Sequence, residues 1–146
     1  MIEKDQSFLM IKIFSPSEIS FYEEHKKLID EKGYVWFCRF GKGGLKTDSI
    51  SKDGQIIFVK ESVSNGGSRF MLKFSELSLD EPVEGYPEYY KDIHINRSIW
   101  FKVTDIIRLN STFEESFSTN NGGPLENVYR SMCNSFYIKA TTNFNT

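Results

Sequence analysis

The side chains that most often do chemistry are few in this chain and poorly placed to cooperate. His25 falls within a helical pattern and His94 in a loop, and neither accompanies a nucleophile elbow or a Cys-His signature. Cys38 lies mid-strand among aromatics and Cys133 follows an apolar helical stripe. Their separation has no metal-ligand spacing, and both read as small core residues. Paired carboxylates occur at Glu23-Glu24, Asp80-Glu81 and Glu114-Glu115. Adjacent residues do not face one another on a helix and point to opposite faces of a strand, so these pairs read as solvated surface. No general acid–base pair, metal centre or cofactor is expected, and no catalytic residue is assigned.

Aromatic and cationic residues make the better case. Tyr34-Val35-Trp36-Phe37-Cys38-Arg39-Phe40 runs straight into Gly41-Lys42-Gly43-Gly44, and Ser98-Ile99-Trp100-Phe101-Lys102-Val103 again sets a tryptophan in a β-favouring run. Trp36 and Trp100 read either as core residues or as the walls of an aromatic pocket, with Arg39 and Lys42 at a cationic mouth. Tyr89 and Tyr90, beside Pro87, have no evident core duty and point to ligand or partner contact. Such a pocket suits a flat ligand, since stacking a base on an aromatic ring contributes roughly 1–3 kcal/mol. Two glycine-rich segments fare less well as phosphate cradles. Gly41–Gly44 lacks P-loop spacing and a following helix, and at Asn121-Gly122-Gly123-Pro124 the proline removes an amide donor from the helix that follows.

The elements that must hold these residues are mostly strands. Thirteen Phe and seven Tyr in 146 residues favour pleated, half-buried surfaces, and the length fits a single domain, 1–146, with a polar tail from about residue 141. Strands are expected over residues 7–14, 34–40, 55–60, 69–74, 98–109 and 135–140. A helix is expected from Ser15-Pro16-Ser17-Glu18, with Ser15 as cap and Glu18 completing a capping box, to a stop at Gly33. A second follows Pro124, with Leu125, Val128, Tyr129 and Met132 on one face. The order β-α-β-β-β-β-α-β predicts an α+β fold: a bent mixed or antiparallel sheet, or a small β-barrel, with two packed helices.

Net charge is −2, and the isoelectric point near 5.7 disfavours generic coating of nucleic acid, which depends on phosphate neutralisation. The apolar run over residues 8–14 is broken by Lys12 and reads as neither signal peptide nor membrane span. With unpaired cysteines this predicts a cytoplasmic protein that does not engage membranes.

The succession Trp36-Phe37-Cys38-Arg39-Phe40-Gly41-Lys42, Ile56-Ile57-Phe58-Val59-Lys60 and Trp100-Phe101-Lys102-Val103 resembles the PUA-like superfamily, and within it EVE-like modules of bacterial restriction and defence proteins. The glycine, lysine, glutamate and arginine signature of the ASCH branch is missing. The resemblance implies a compact, bent β-barrel with flanking helices and an aromatic pocket for RNA or a modified base. Trp36 and Trp100 would form its walls, Tyr89 or Tyr90 would close it, and Arg39 and Lys42 would contact phosphate. The leading expectation is a non-catalytic module accepting a modified base, nucleotide or short nucleic acid, in bacterial or phage defence or counter-defence. The alternatives are a homo-oligomeric protein–protein interaction domain and a small enzyme that processes nucleotides or nucleic acid.

Overall fold

The computed structural model describes residues 2–41, 50 and 55–145. Strand β1 (Ser7–Ile13) leads through α1 (Phe21–Lys32) to β2 (Val35–Phe40), followed by β3 (Ile56–Glu61), β4 (Arg69–Ser78) and β5 (Arg97–Leu109). The short helix α2 (Phe113–Ser116) precedes β6 (Phe117–Thr119), and α3 (Leu125–Tyr129) precedes β7 (Ser135–Ala140). The strands form one mixed sheet in the order β2-β5-β4-β3-β1-β7-β6, with β1 parallel to β3 and every other pairing antiparallel.

Both faces of the sheet are apolar because both are covered. Leu9 and Ile11 of β1, Val35 and Phe37 of β2, Ile57 and Val59 of β3, and Phe70 and Leu72 of β4 share one core with Phe21 and Ile29 of α1. The alternate residues Phe8, Met10, Phe58 and Met71 turn the other way. They pack against Phe113, Phe117 and Leu125 from the segment of α2, β6 and α3. A third cluster, Cys38, Trp100, Tyr89 and Tyr90, lies on the second face of β2 and β5. Each fully buried side chain of this size contributes about 1.5–3 kcal/mol, so the period-two pattern dictates register as well as burial.

Among the described residues the sheet does not close into a barrel, and β2 and β6 are its two edges. The outer edge of β2 is instead capped by the segment between β4 and β5. Gly85 O accepts the Trp36 N–H at 2.7 Å, Asn96 O accepts the Gly41 N–H at 2.8 Å, and the Tyr90 hydroxyl accepts the Cys38 N–H at 3.4 Å. Side chains then bridge β2 to the far part of the sheet. Arg39 donates to Ser98 Oγ, Asn134 Oδ1 and Ser135 Oγ, while Asn134 Nδ2 donates to Phe40 O at 3.0 Å. The sheet thus curls towards closure through side chains rather than through a strand ladder, and the exposed edge is blunted.

Helix α1 begins five residues later than the first capping box suggests. Its cap is Ser20, whose Oγ accepts the Glu23 N–H at 3.2 Å. Ser15 cannot serve, because its backbone is committed elsewhere. Its N–H donates to Asn65 Oδ1 at 2.9 Å and its carbonyl accepts from Asn65 Nδ2 at 3.0 Å. Glu18 takes a left-handed conformation at φ 71°, which breaks any helix across it. Gly33, at φ 86°, ends the helix as anticipated by donating its N–H to Ile29 O.

The second predicted helix stops at Tyr129, leaving Met132 fully exposed and Cys133 exposed rather than in a core. Lys12 explains the early end. Its ammonium donates to the carbonyls of Val128, Tyr129 and Ser131 at 3.0, 3.4 and 2.6 Å, neutralising the helix C-terminus. The polar tail is also pinned: Phe144 forms a bridge with Ile2 and packs on Phe113 and Phe117.

Candidate functional site

A cavity of about 670 Å³ lies where the end of β1, the end of β3 and the outer part of β2 converge beneath the 3-10 turn Glu88–Asp92. That volume falls within the range of small-molecule sites. Its wall is aromatic: Phe14, Phe21, Phe37, Phe40, Tyr89, Tyr90 and Tyr129 all contribute. Three large apolar side chains at this cavity, Phe14, Val63 and Ile95, are 69%, 89% and 58% exposed, so the apolar lining extends into solvent. Apart from the tyrosine hydroxyls, polar groups are sparse and come from Lys12, Ser15, Lys60, Glu61, Ser62, His94 and Asn134.

The residues picked out from the sequence divide. Tyr89 and Tyr90 line the cavity and are buried. They carry a core role too, since they pack with Cys38 and Trp100. Trp36 and Trp100 lie outside the cavity wall: Trp100 is buried against Tyr86 and Tyr90, and Trp36 is half-buried in the same cluster. Arg39 is buried behind β2, with its guanidinium engaged by Ser98, Asn134 and Ser135. Lys42 lies outside the described residues.

Tyr90 is fixed by a chain of hydrogen bonds that joins three elements. Arg97 donates to its carbonyl at 2.7 Å while also pairing with Glu81. At the other end the Tyr90 hydroxyl meets His25 Nε2 at 2.5 Å, and His25 Nδ1 meets Phe21 O at 2.8 Å. A carbonyl can only accept, so Nδ1 carries the proton and Nε2 takes the hydrogen from Tyr90. His25 is completely buried between Phe21, Phe37 and the two tyrosines, and burial holds its pKa down to about 4. Burial also raises the Tyr90 hydroxyl well above the ordinary phenol range, with Tyr89 adding to the shift.

The same burial decides what the cavity can do chemically. The Cys38 thiol is pushed up to about 12, chiefly by desolvation, so it stays protonated rather than acting as a nucleophile. Both nitrogens of His25 are occupied, which leaves it no lone pair for a substrate proton. Lys12 and Lys60 are lowered by desolvation, and Lys60 lies over the Tyr129 ring at 5.0 Å while donating to Gly67 O at 2.6 Å. Among the described residues no group of three His, Cys, Asp or Glu is placed to hold a metal ion, and no helix is long and apolar enough to cross a membrane.

Three wall residues gave no functional signal in sequence. Phe14 and Phe37 looked like ordinary strand residues, and Ser15 looked like a helix cap. Glu114, one of the carboxylates read as solvated, is instead held by Arg69 at 2.8 Å and by the Tyr129 hydroxyl at 2.9 Å, which fixes the back of the Tyr129 ring. Compared with protein-family models, curated proteins and solved structures, the chain gives no match.

Proposed function

We propose that this chain is a non-catalytic binding module that takes a nucleobase, most simply a modified base or its nucleoside, into the aromatic cavity. The observation that carries the reading is the wall itself: seven phenylalanine and tyrosine rings around about 670 Å³, with few polar groups. A flat heterocycle matches such a wall, because stacking tolerates any base and a few polar groups suffice to orient it. If the base belongs to a nucleic acid it must leave its stack to enter, which a net charge of −2 accommodates better than a long backbone footprint. A PUA-like, EVE-like module in defence or counter-defence is the setting this reading favours.

Thermal unfolding with a panel of bases, nucleosides, nucleotides and short oligonucleotides carrying modified bases tests the reading. A ligand at a hundred times its Kd adds about 2.7 kcal/mol. Phe14→Ala, at an exposed rim position, should weaken binding while leaving ligand-free stability within about 0.5 kcal/mol. No shift with any member of the panel would overturn it. Because the tryptophans stand outside the wall, calorimetry is a more direct readout than their fluorescence. The exposed Phe14, Val63 and Ile95 also favour a second reading, self-association through the cavity rim. Sedimentation without ligand separates the two, since only self-association makes mass depend on protein concentration.

A further inference from the structure

We infer that Glu61 is the hydrogen-bond acceptor by which the cavity selects its ligand, and that the base it takes presents a guanine-type edge of N–H donors. The inference rests on the proposed reading of the cavity as a base or nucleoside site. Glu61 lines the cavity and is only 9% exposed. A carboxylate so far withdrawn from water is ordinarily paired with a cation or bonded at both oxygens. This one is neither. Its Oε1 accepts the Ser68 N–H at 3.2 Å, while Oε2 makes no hydrogen bond and is not closed off from the open space beside it. Among the described residues no lysine or arginine forms an ion pair with it.

Strand alternation sets the carboxylate among the rings and the nearby lysines apart from it. In the parallel pairing of β1 with β3, Ile13 lies opposite Glu61 and Lys12 opposite Lys60. Ile11 and Val59, two residues back from Ile13 and Glu61, belong to the core that holds Phe21 and Phe37. Met10 and Phe58, two residues back from the lysines, belong to the opposite core. Glu61 therefore leaves the sheet on the side of the rings, where it also acts electrostatically on the Tyr89 hydroxyl. The lysines leave it on the other side. Lys12 bonds carbonyls at the end of α3, and Lys60 bonds Gly67 O and the backbone carbonyl of Glu61 rather than its carboxylate.

A ring stacked on the aromatic wall meets this carboxylate with its edge, so the edge must donate. Guanine sets its N1–H and its exocyclic amino group side by side, matching the two oxygens of a carboxylate, and hydrogen bonds to an ionised acceptor are the strong ones. Oε1 keeps a lone pair for this after bonding Ser68. Adenine and cytosine place a ring acceptor beside their amino group, and thymine flanks its single N–H with two carbonyls. Each of these turns a lone pair towards the carboxylate, which a site built to accept donors rejects.

Calorimetric titration of the wild type with guanosine, inosine, adenosine and thymidine, and of Glu61→Gln with guanosine and thymidine, tests this. Inosine differs from guanosine only in lacking the amino group, so the wild type should bind guanosine about tenfold more tightly, with adenosine and thymidine weaker still. Glu61→Gln keeps an oxygen for the Ser68 N–H but replaces a charged acceptor with an amide. It should lose about tenfold or more in guanosine affinity while its affinity for thymidine changes little. The wild-type ranking needs no variant: guanosine bound no more tightly than inosine or thymidine would overturn the guanine-type edge. Equal guanosine affinity in both proteins would overturn the role of Glu61 while leaving the cavity reading intact. No binding of any of these nucleosides would overturn the inference, and no response to the wider panel of bases and oligonucleotides would overturn the cavity reading with it.

Discussion

Burying His25 as a neutral imidazole makes the stability of this fold depend on pH in a calculable way. Its folded pKa is about 4 against 6.5 for the free side chain. Between those values the unfolded chain binds a proton that the folded chain does not, so stability falls as pH falls through that window and is fully present above it. Relative to pH 7.5, this single group removes about 2 kcal/mol at pH 5 and about 3 kcal/mol at pH 4. No solvent screening offsets the loss, because the ring is completely buried. Carboxylates titrate in the same range, so the effect is read as a difference. Urea unfolding of the wild type and His25→Gln at pH 7.5 and pH 5 gives two stability gaps. Gln destabilises the protein at both pH values but cannot protonate, so the gap should narrow by about 2 kcal/mol at pH 5. A gap independent of pH would refute a buried, neutral His25 and the Tyr90 hydrogen bond that depends on it.

Other perturbations follow from the same geometry. Tyr90→Phe removes a hydroxyl that serves both His25 Nε2 and the Cys38 N–H, and should cost about 2–4 kcal/mol in chemical denaturation. Gly85→Ala places a Cβ 2.8 Å from Tyr34 and 3.3 Å from Trp36 at φ 91°, and should cost about 2–3 kcal/mol. Gly33→Ala, with a similar φ but open space, should cost only about 1 kcal/mol by the same assay. Glu114→Ala strands Arg69 and the Tyr129 hydroxyl in a partly buried site and should lower stability by about 2–3 kcal/mol. Removing the exposed Lys26–Asp30 pair should change it by no more than about 0.5 kcal/mol.

How much of this was legible in sequence depends on the range of the interactions. Strand registers were accessible because they follow a local period of two: Phe70, Leu72 and Phe74 share a face, and Met71 turns to the opposite core. The start of α1 was not, although Ser20-x-x-Glu23 was as visible as Ser15-x-x-Glu18. What decided between them is Asn65, fifty residues away from Ser15. His25 could have been recognised as buried from Phe21, His25 and Ile29 at four-residue spacing, the stripe that α1 buries. The open sheet in place of a barrel, and the bridging by Arg39 and Asn134, depend on contacts nearly a hundred residues apart. Tyr89 and Tyr90 combine the two cases. Their cluster announced a special loop, but their double role in core and cavity wall follows from the edge of β2 needing a cap.

The central claim is that the aromatic cavity is the ligand site. Methyl NMR of isoleucine-labelled protein titrated with nucleosides tests it most directly, because Ile11, Ile13, Ile93 and Ile95 line the cavity while Ile2, Ile57 and Ile106 do not. Saturable shifts concentrated in the four lining methyls are predicted. Unchanged spectra at millimolar nucleoside, or shifts led by Ile2, Ile57 or Ile106, would contradict the account.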